Sequence, residues 1–131
     1  MANDSERLMN AGTAVIADVF DDIGQLPPIL DNNLFPVKPG SHFAGPAYTI
    51  AGESVTWSGS GDRAKLAAID AMPSGAVAVW AGNDARGVCC FGDLLASAML
   101  ARGCAGAVVD GGVRDVAFLR NSNLLVMARY R

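Results

Sequence analysis

Two short apolar runs limit the architecture of this chain more than any other feature. AVAVWAG, residues 76–82, and AVVD, residues 107–110, are almost uninterrupted in hydrophobic character, and turn residues bound them. A strand with one wetted face alternates apolar and polar side chains. A continuous run of this length reads instead as a strand covered on both faces, as in parallel sheets. Between the two runs, residues 93–102 carry Leu95, Ala98 and Met99 at helical spacing, and Gly103 is placed to stop the helix. Strand, helix, strand makes a βαβ unit with a parallel crossover. A short helix over 115–120 and a third strand, LLVMA, complete the C-terminal half. The pattern predicts an α/β fold.

The N-terminal half is less regular. Residues 5–10 suit a short helical turn, and Thr13 is placed as an N-cap for AVIADVFDDIG. Val15, Ile16, Val19, Phe20 and Ile23 share one face of that helix, and Gly24 ends it. Asp18, Asp21 and Asp22 form its solvated edge. From residue 26 to 58, Pro and Gly punctuate short extended stretches, of which AYTIAG and ESVTW read as strands. The lone His42 falls in this Gly/Pro-rich segment and reads as a loop residue. SGSGD, residues 58–62, lacks the spacing of a phosphate-binding loop, and Asp62 reads as the N-cap of RAKLAAIDAM. NDARGVCC reads as a loop. No repeat, linker or low-complexity stretch divides residues 1–131, so a single domain is expected.

Composition removes several functions. The net charge is −3 and no basic stripe exists, which argues against nucleic acid and against an anionic membrane surface. No segment approaches the roughly 20 apolar residues of a membrane span. The N-terminus is polar, so a cytoplasmic location is expected. The three cysteines, Cys89, Cys90 and Cys104, read as buried free thiols, and with one His no zinc-ligand spacing arises.

Chemistry concentrates in FGDLLASAMLARGCAGAVVDGGVRD, residues 91–115. Parallel sheets bind ligands where strands lead into helix N-termini. Two such connections occur here, at Asp93 and at the GGVRD segment. Backbone N–H groups of Gly92, Asp93, Leu94 and Leu95 offer an anion site at a helix start. Gly111 and Gly112 suit a tight turn. Arg114 presents a planar donor fork for a carboxylate or enolate oxygen. Asp115 can bind a hard cation such as Mg²⁺, which often takes only one or two carboxylates. The same residues also admit a plainer arrangement, in which Asp115 caps the last helix and Arg114 pairs with a surface acid.

Asp93, twenty residues, then Arg114-Asp115, set in GDLLASAMLARGCAGAVVDGGVRD, resembles the 4-hydroxy-4-methyl-2-oxoglutarate aldolase family, which also contains the regulator of ribonuclease activity A. TAVIADVFDDIG, FAGPAYTIAG and SGAVAVWAG fall where that family has counterparts. The resemblance implies a swivelling ββα sandwich, also described as phosphohistidine-domain-like, in a homotrimer or hexamer. It implies a metal-dependent (class II) aldolase that releases pyruvate from 4-hydroxy-2-oxo acids, an oxaloacetate decarboxylase, or both. By motif, Asp115 would hold Mg²⁺ or Mn²⁺, and Asp93 would hold metal-bound water. Arg114 would steady the keto and enolate oxygen, and the N–H groups of residues 92–95 would bind the pyruvyl carboxylate. The alternative within the family is a non-catalytic regulator that binds a ribonuclease. Relative to the family, the chain is expected to lack C-terminal strands. A Schiff-base mechanism fits poorly, because Lys38 and Lys65 lie in a proline-rich loop and an amphipathic helix.

Overall fold

The computed structural model describes residues 3–53, 56, 61–82 and 87–131. In chain order the elements are α1 (Asp4–Asp22), β1 (Phe35–Pro36), β2 (Ala47–Ala51), α2 (Gly61–Asp70), β3 (Val77–Ala81), β4 (Cys89–Phe91), α3 (Asp93–Ala101), β5 (Gly106–Val113), α4 (Val116–Asn121) and β6 (Val126–Tyr130). The sheet order is β1-β6-β5-β3-β2, with β4 pairing to β5. β2, β3, β5 and β6 run parallel, and the short β1 closes one edge antiparallel to β6. The βαβ unit expected from the two apolar runs is therefore the centre of the sheet. Of the remaining expectations, ESVTW, SGSGD with the Asp62 cap side chain, and NDAR fall wholly or in part outside the described residues.

Register explains why one face of the sheet forms the core. Tyr48, Ala78, Ala107 and Val126 make one row across four strands, and Ile50, Trp80, Val109 and Ala128 make another. Both rows pack with Ile69, Met72, Leu95, Met99 and Leu119 from the helical layer. Trp80 meets Phe91 edge to face at 6.2 Å, a favoured aromatic geometry. The opposite row, Thr49, Val79, Val108 and Met127, is only half-buried or exposed. This corrects the expectation that the apolar runs are covered on both faces. In the described chain the helices of the core pack on one side.

Two further corrections concern the region that carries the site. Cys89–Phe91 is a strand, not a loop, and it pairs with the end of β5. Gly111 and Gly112 are not a turn, because β5 runs through them to Val113. Their lack of a side chain is needed for packing. A Cβ on Gly112 would run into the Tyr130 ring, and one on Gly111 would lie 3.0 Å from Cys90 Sγ. Gly112→Ala is therefore expected to cost about 1–3 kcal/mol, the usual penalty for overpacking. It should be read as a lower urea midpoint with an unchanged slope.

α1 is longer than expected. Asn3 and Glu6 form a reciprocal capping box, with Glu6 N–H donating to Asn3 Oδ1 at 2.9 Å and Asn3 N–H to Glu6 Oε2 at 3.0 Å. The helix is kinked at Gly12 and stops, as expected, at Gly24 (φ 69°). Downstream, Arg129 bridges Asp31 (2.9 Å) and Asp110, tying the loop before β1 to the sheet. The Asn33 backbone N–H and Arg129 together hold the Asp31 carboxyl below its usual range. That contribution is present at neutral pH and is lost as pH falls through the lowered value.

Candidate functional site at the α3–α4 junction

The site forms where β4 and β5 end side by side. Arg114 N–H donates to the Phe91 carbonyl at 2.9 Å, which locks the two strand exits together. β4 leads through Gly92 into α3, and β5 leads through Arg114 and Asp115 into α4. Asp115 is the only non-glycine with positive φ among the described residues (φ 55°, ψ 38°), a left-handed conformation that Asp and Asn tolerate better than other side chains.

That conformation bears on the plainer reading, in which Asp115 caps the last helix. It occupies the N-cap position of α4, but its side chain makes no cap hydrogen bond there. Instead Oδ2 accepts from Asp93 N–H at 3.2 Å, at the start of α3. Arg114 Nε lies 3.4 Å from the same oxygen, so its acidic partner is Asp115 and not a remote surface acid. Asp93, Arg114 and Asp115 are thus brought to one point across a separation of 22 residues.

Two of the four expected N–H groups have partners at the start of α3. Asp93 N–H is engaged by Asp115, and Leu94 N–H by the Asp93 carboxylate at 2.6 Å. A helix N-terminus that holds two carboxylates of its own chain has the electrostatic character expected of an anion site. The Leu95 side chain belongs to the core, so only its backbone can face a ligand, whereas Leu94 is exposed. Arg114 is the most open member, with 71% of its side chain exposed. Gly92 is the residue whose role was only half legible. A Cβ there would lie 2.5 Å from Asp115 Oδ2 and 3.0 Å from Arg114 Cγ, so glycine is what lets both side chains reach the junction.

The donor set suits a hard cation. Two carboxylates, Asp93 and Asp115, adjoin the site. Among the described residues, no group of three or more His, Cys, Asp or Glu side chains converges. Mg²⁺ or Mn²⁺ completes its shell with water and substrate oxygens, so one or two protein carboxylates suffice. A structural zinc site would need four protein ligands, which this junction does not offer.

The three cysteines are all free: Cys89 and Cys90 lie in β4 beside the junction, and Cys104 lies past the far end of α3. Cys104 is buried, Cys90 is half-buried and Cys89 is exposed, which corrects the expectation of three buried thiols. Burial, and secondarily the neighbouring Cys89, pushes the Cys90 thiol up, and burial does the same to Cys104. Thiolate is the reactive species. At neutral pH one thiol per chain, Cys89, is therefore expected to react first with a disulfide reagent. A Cys89→Ser variant should lack the fast phase.

A mostly parallel sheet with an Asp/Arg-Asp junction at adjacent strand ends defines an α/β domain. Residues 13–131 match the family model described as RraA-like, Aldolase/RraA, and the chain belongs to this family. The family includes both aldolase or decarboxylase members and regulatory inhibitors. The chain is 32% identical over 126 residues to Protein DlpA of Legionella pneumophila, covering 94% of this chain and 20% of that protein. Among solved structures, it resembles one described as a novel cellulase from microbes of the gut ecosystem. That likeness has a TM-score of 0.81 at 20% identity, over 95% of this chain and 56% of the other. It also resembles RraAS2 of Streptomyces coelicolor, described as an unusual member of the RNase ES inhibitor RraA family. Here the TM-score is 0.76 at 23% identity, over 94% of this chain and 60% of the other. These likenesses establish the fold. The chain spans a fifth of the curated relative and little more than half of these solved chains. Among the described residues, no helix is long and apolar enough to cross a membrane.

Proposed function

We propose that this chain is the catalytic part of a divalent-metal-dependent lyase. Its reaction is release of pyruvate from 4-hydroxy-2-oxo acids of the 4-hydroxy-4-methyl-2-oxoglutarate type, decarboxylation of oxaloacetate, or both. The observation that carries this reading is the convergence of Asp93, Arg114 and Asp115 on one helix start, with Gly92 kept open for them.

Both reactions break a C–C bond and leave negative charge on the oxygen of a pyruvate enolate. Asp115, with Asp93 beside it, would hold Mg²⁺ or Mn²⁺, which when bound supplies Lewis-acid stabilisation of that oxygen. Arg114 donates to the same oxygen. Its charge is permanent, and the Arg114 N–H to Phe91 carbonyl bond fixes the backbone from which it reaches. The N–H groups at the start of α3 orient the substrate carboxylate in the place where Asp115 and Asp93 oxygens now rest. Substrate binding on this reading releases Asp115 Oδ2 from Asp93 N–H, and Asp115 is the carboxylate that would hold the cation.

The test is pyruvate release from each substrate with Mg²⁺, with Mn²⁺ and with excess EDTA. The expected result is release that stops with chelation and returns with added metal. A folded sample that releases nothing under any of these conditions rejects catalysis by this chain. It would leave the family's other activity, regulation by protein contact, which needs neither metal nor Asp115.

A further inference from the structure

We infer that Cys89 and Cys90 form a dithiol site for a soft, thiophilic centre that brings its own remaining substituent, and that a trivalent organoarsenical is the ligand class it takes. The inference is independent of the lyase reading, because it rests on the two thiols of β4 and not on the carboxylates at the junction.

Neighbouring side chains on a regular strand point to opposite faces. β4 departs from that rule. Cys89 is in register with Gly112 and Phe91 with Val113, so β4 takes two steps where β5 takes one, and Cys90 is the extra residue of a bulge. Both thiols then turn to one oxygen. The Gly112 carbonyl lies 3.7 Å from Cys89 Sγ and 3.5 Å from Cys90 Sγ. Cys89 is exposed, which gives a ligand access, and Cys90 is half-buried. A Cβ at Gly111 would lie 3.0 Å from Cys90 Sγ, so bare glycine backbone in β5 makes room for the inner sulfur.

Three features select the ligand. Consecutive Cα atoms stand about 3.8 Å apart across a trans peptide, whereas disulfides join Cα atoms about 4.4–6.8 Å apart. A direct bond between the two sulfurs is therefore strained, and a larger bridging atom relieves that demand. Thiolates select soft centres, and among the described residues no third His, Cys, Asp or Glu converges here, so a four-ligand zinc site is not served. Burial and the adjacent Cys89 raise the Cys90 thiol, and Lys65 on α2 opposes that rise. A half-buried sulfur of this kind suits a neutral product better than an anionic metal dithiolate. A monosubstituted arsenic(III) oxide meets all three conditions. Two As–S bonds form, the arsenic–oxygen bond breaks, and both thiol protons leave with the oxygen as one water. Arsenic stays trivalent, nothing is oxidised or reduced, and the product is neutral.

The test uses phenylarsine oxide on the folded chain, read by intact mass and thiol titration. The wild type is expected to gain one phenylarsenic group and to keep a single titratable thiol, that of Cys104. Excess glutathione, a monothiol, is expected to leave the adduct in place, and 2,3-dimercaptopropanol to remove it. Cys89→Ser and Cys90→Ser are each expected to lose the adduct to glutathione, while Cys104→Ala keeps it. Circular dichroism reports whether each variant is folded. Because the bulge turns the two sulfurs together only in the folded chain, the reagent should raise the urea midpoint of the wild type and not that of either Ser variant. A wild-type adduct that glutathione strips overturns the inference, and this arm needs no variant. So does an adduct that survives glutathione in folded Cys90→Ser or is stripped from folded Cys104→Ala, or a wild-type midpoint that the reagent leaves unchanged or lowers.

Discussion

Arg114→Met is expected to lower pyruvate release by about 10²–10³-fold with little change in stability, the usual loss when one preorganised donor to a developing oxyanion is removed. The side chain is mostly exposed and its recorded ion pair is with Asp115, so truncation leaves no hole in the core. The loss should fall on kcat as well as on kcat/KM, because charge on the enolate oxygen is greatest in the transition state. Arg114→Lys should recover little, since an ammonium cannot reproduce the planar fork. Asp115 needs a more careful pair of variants. Asp115→Asn keeps a side chain that accepts from Asp93 N–H and tolerates the left-handed backbone, yet removes the charge a cation requires. Asp115→Ala also places a β-carbon residue without local hydrogen bonding at φ 55°, at a cost of about 1–2 kcal/mol. If the site binds metal through Asp115, both variants lose activity to a similar degree, and only the alanine variant melts earlier. An active Asp115→Asn enzyme would falsify the assignment of Asp115 as the metal ligand.

How much of this was legible in the sequence follows from the range of each interaction. β3, α3 and β6 were readable because their patterns are local: a continuous apolar run, a 3.6-residue period with a glycine stop, and the apolar stretch LLVMA. β4 and the last part of β5 were not. Gly-Gly is a turn signal when read locally, and what makes it strand is the Tyr130 ring and the Cys90 sulfur packed against it from distant positions. The half-open face of the sheet was likewise invisible, since an apolar residue does not announce which side will be covered. The first half of α1 carries a local signal of its own: Asn3 followed three residues later by Glu6 is a capping box with Asn in place of Ser or Thr. At the junction, the residue types and their spacing pointed to Asp93, Arg114 and Asp115. That Asp115 would reach across to the start of α3, rather than cap its own helix, depends on its left-handed backbone, which no spacing rule supplies.

Gly92→Ala is expected to separate activity from stability in the opposite sense to Gly112→Ala. The backbone of Gly92 is extended (φ −157°), a conformation open to any residue, so alanine introduces no backbone strain. The N-cap of α3 has no side-chain hydrogen bond to lose, and stability should change by about 1 kcal/mol at most. The new Cβ, however, would lie 2.5 Å from Asp115 Oδ2 and 3.2 Å from Arg114 Nε, and something must move. What moves is the far end of two exposed side chains, because the backbone behind them is held by the Arg114 N–H to Phe91 carbonyl bond. Displacing a catalytic group by about 1 Å can cost 10²-fold in rate. Pyruvate release should therefore fall by roughly that factor. Gly112→Ala, whose Cβ meets a ring packed on the sheet, should lower the urea midpoint and leave the rate of the remaining folded protein largely intact. Measuring both quantities on both variants tests the junction without touching any charged residue. A Gly92→Ala protein with full activity would mean that the geometry of Arg114 and Asp115 does not govern the reaction, and the chemistry would have to be sought elsewhere on the sheet.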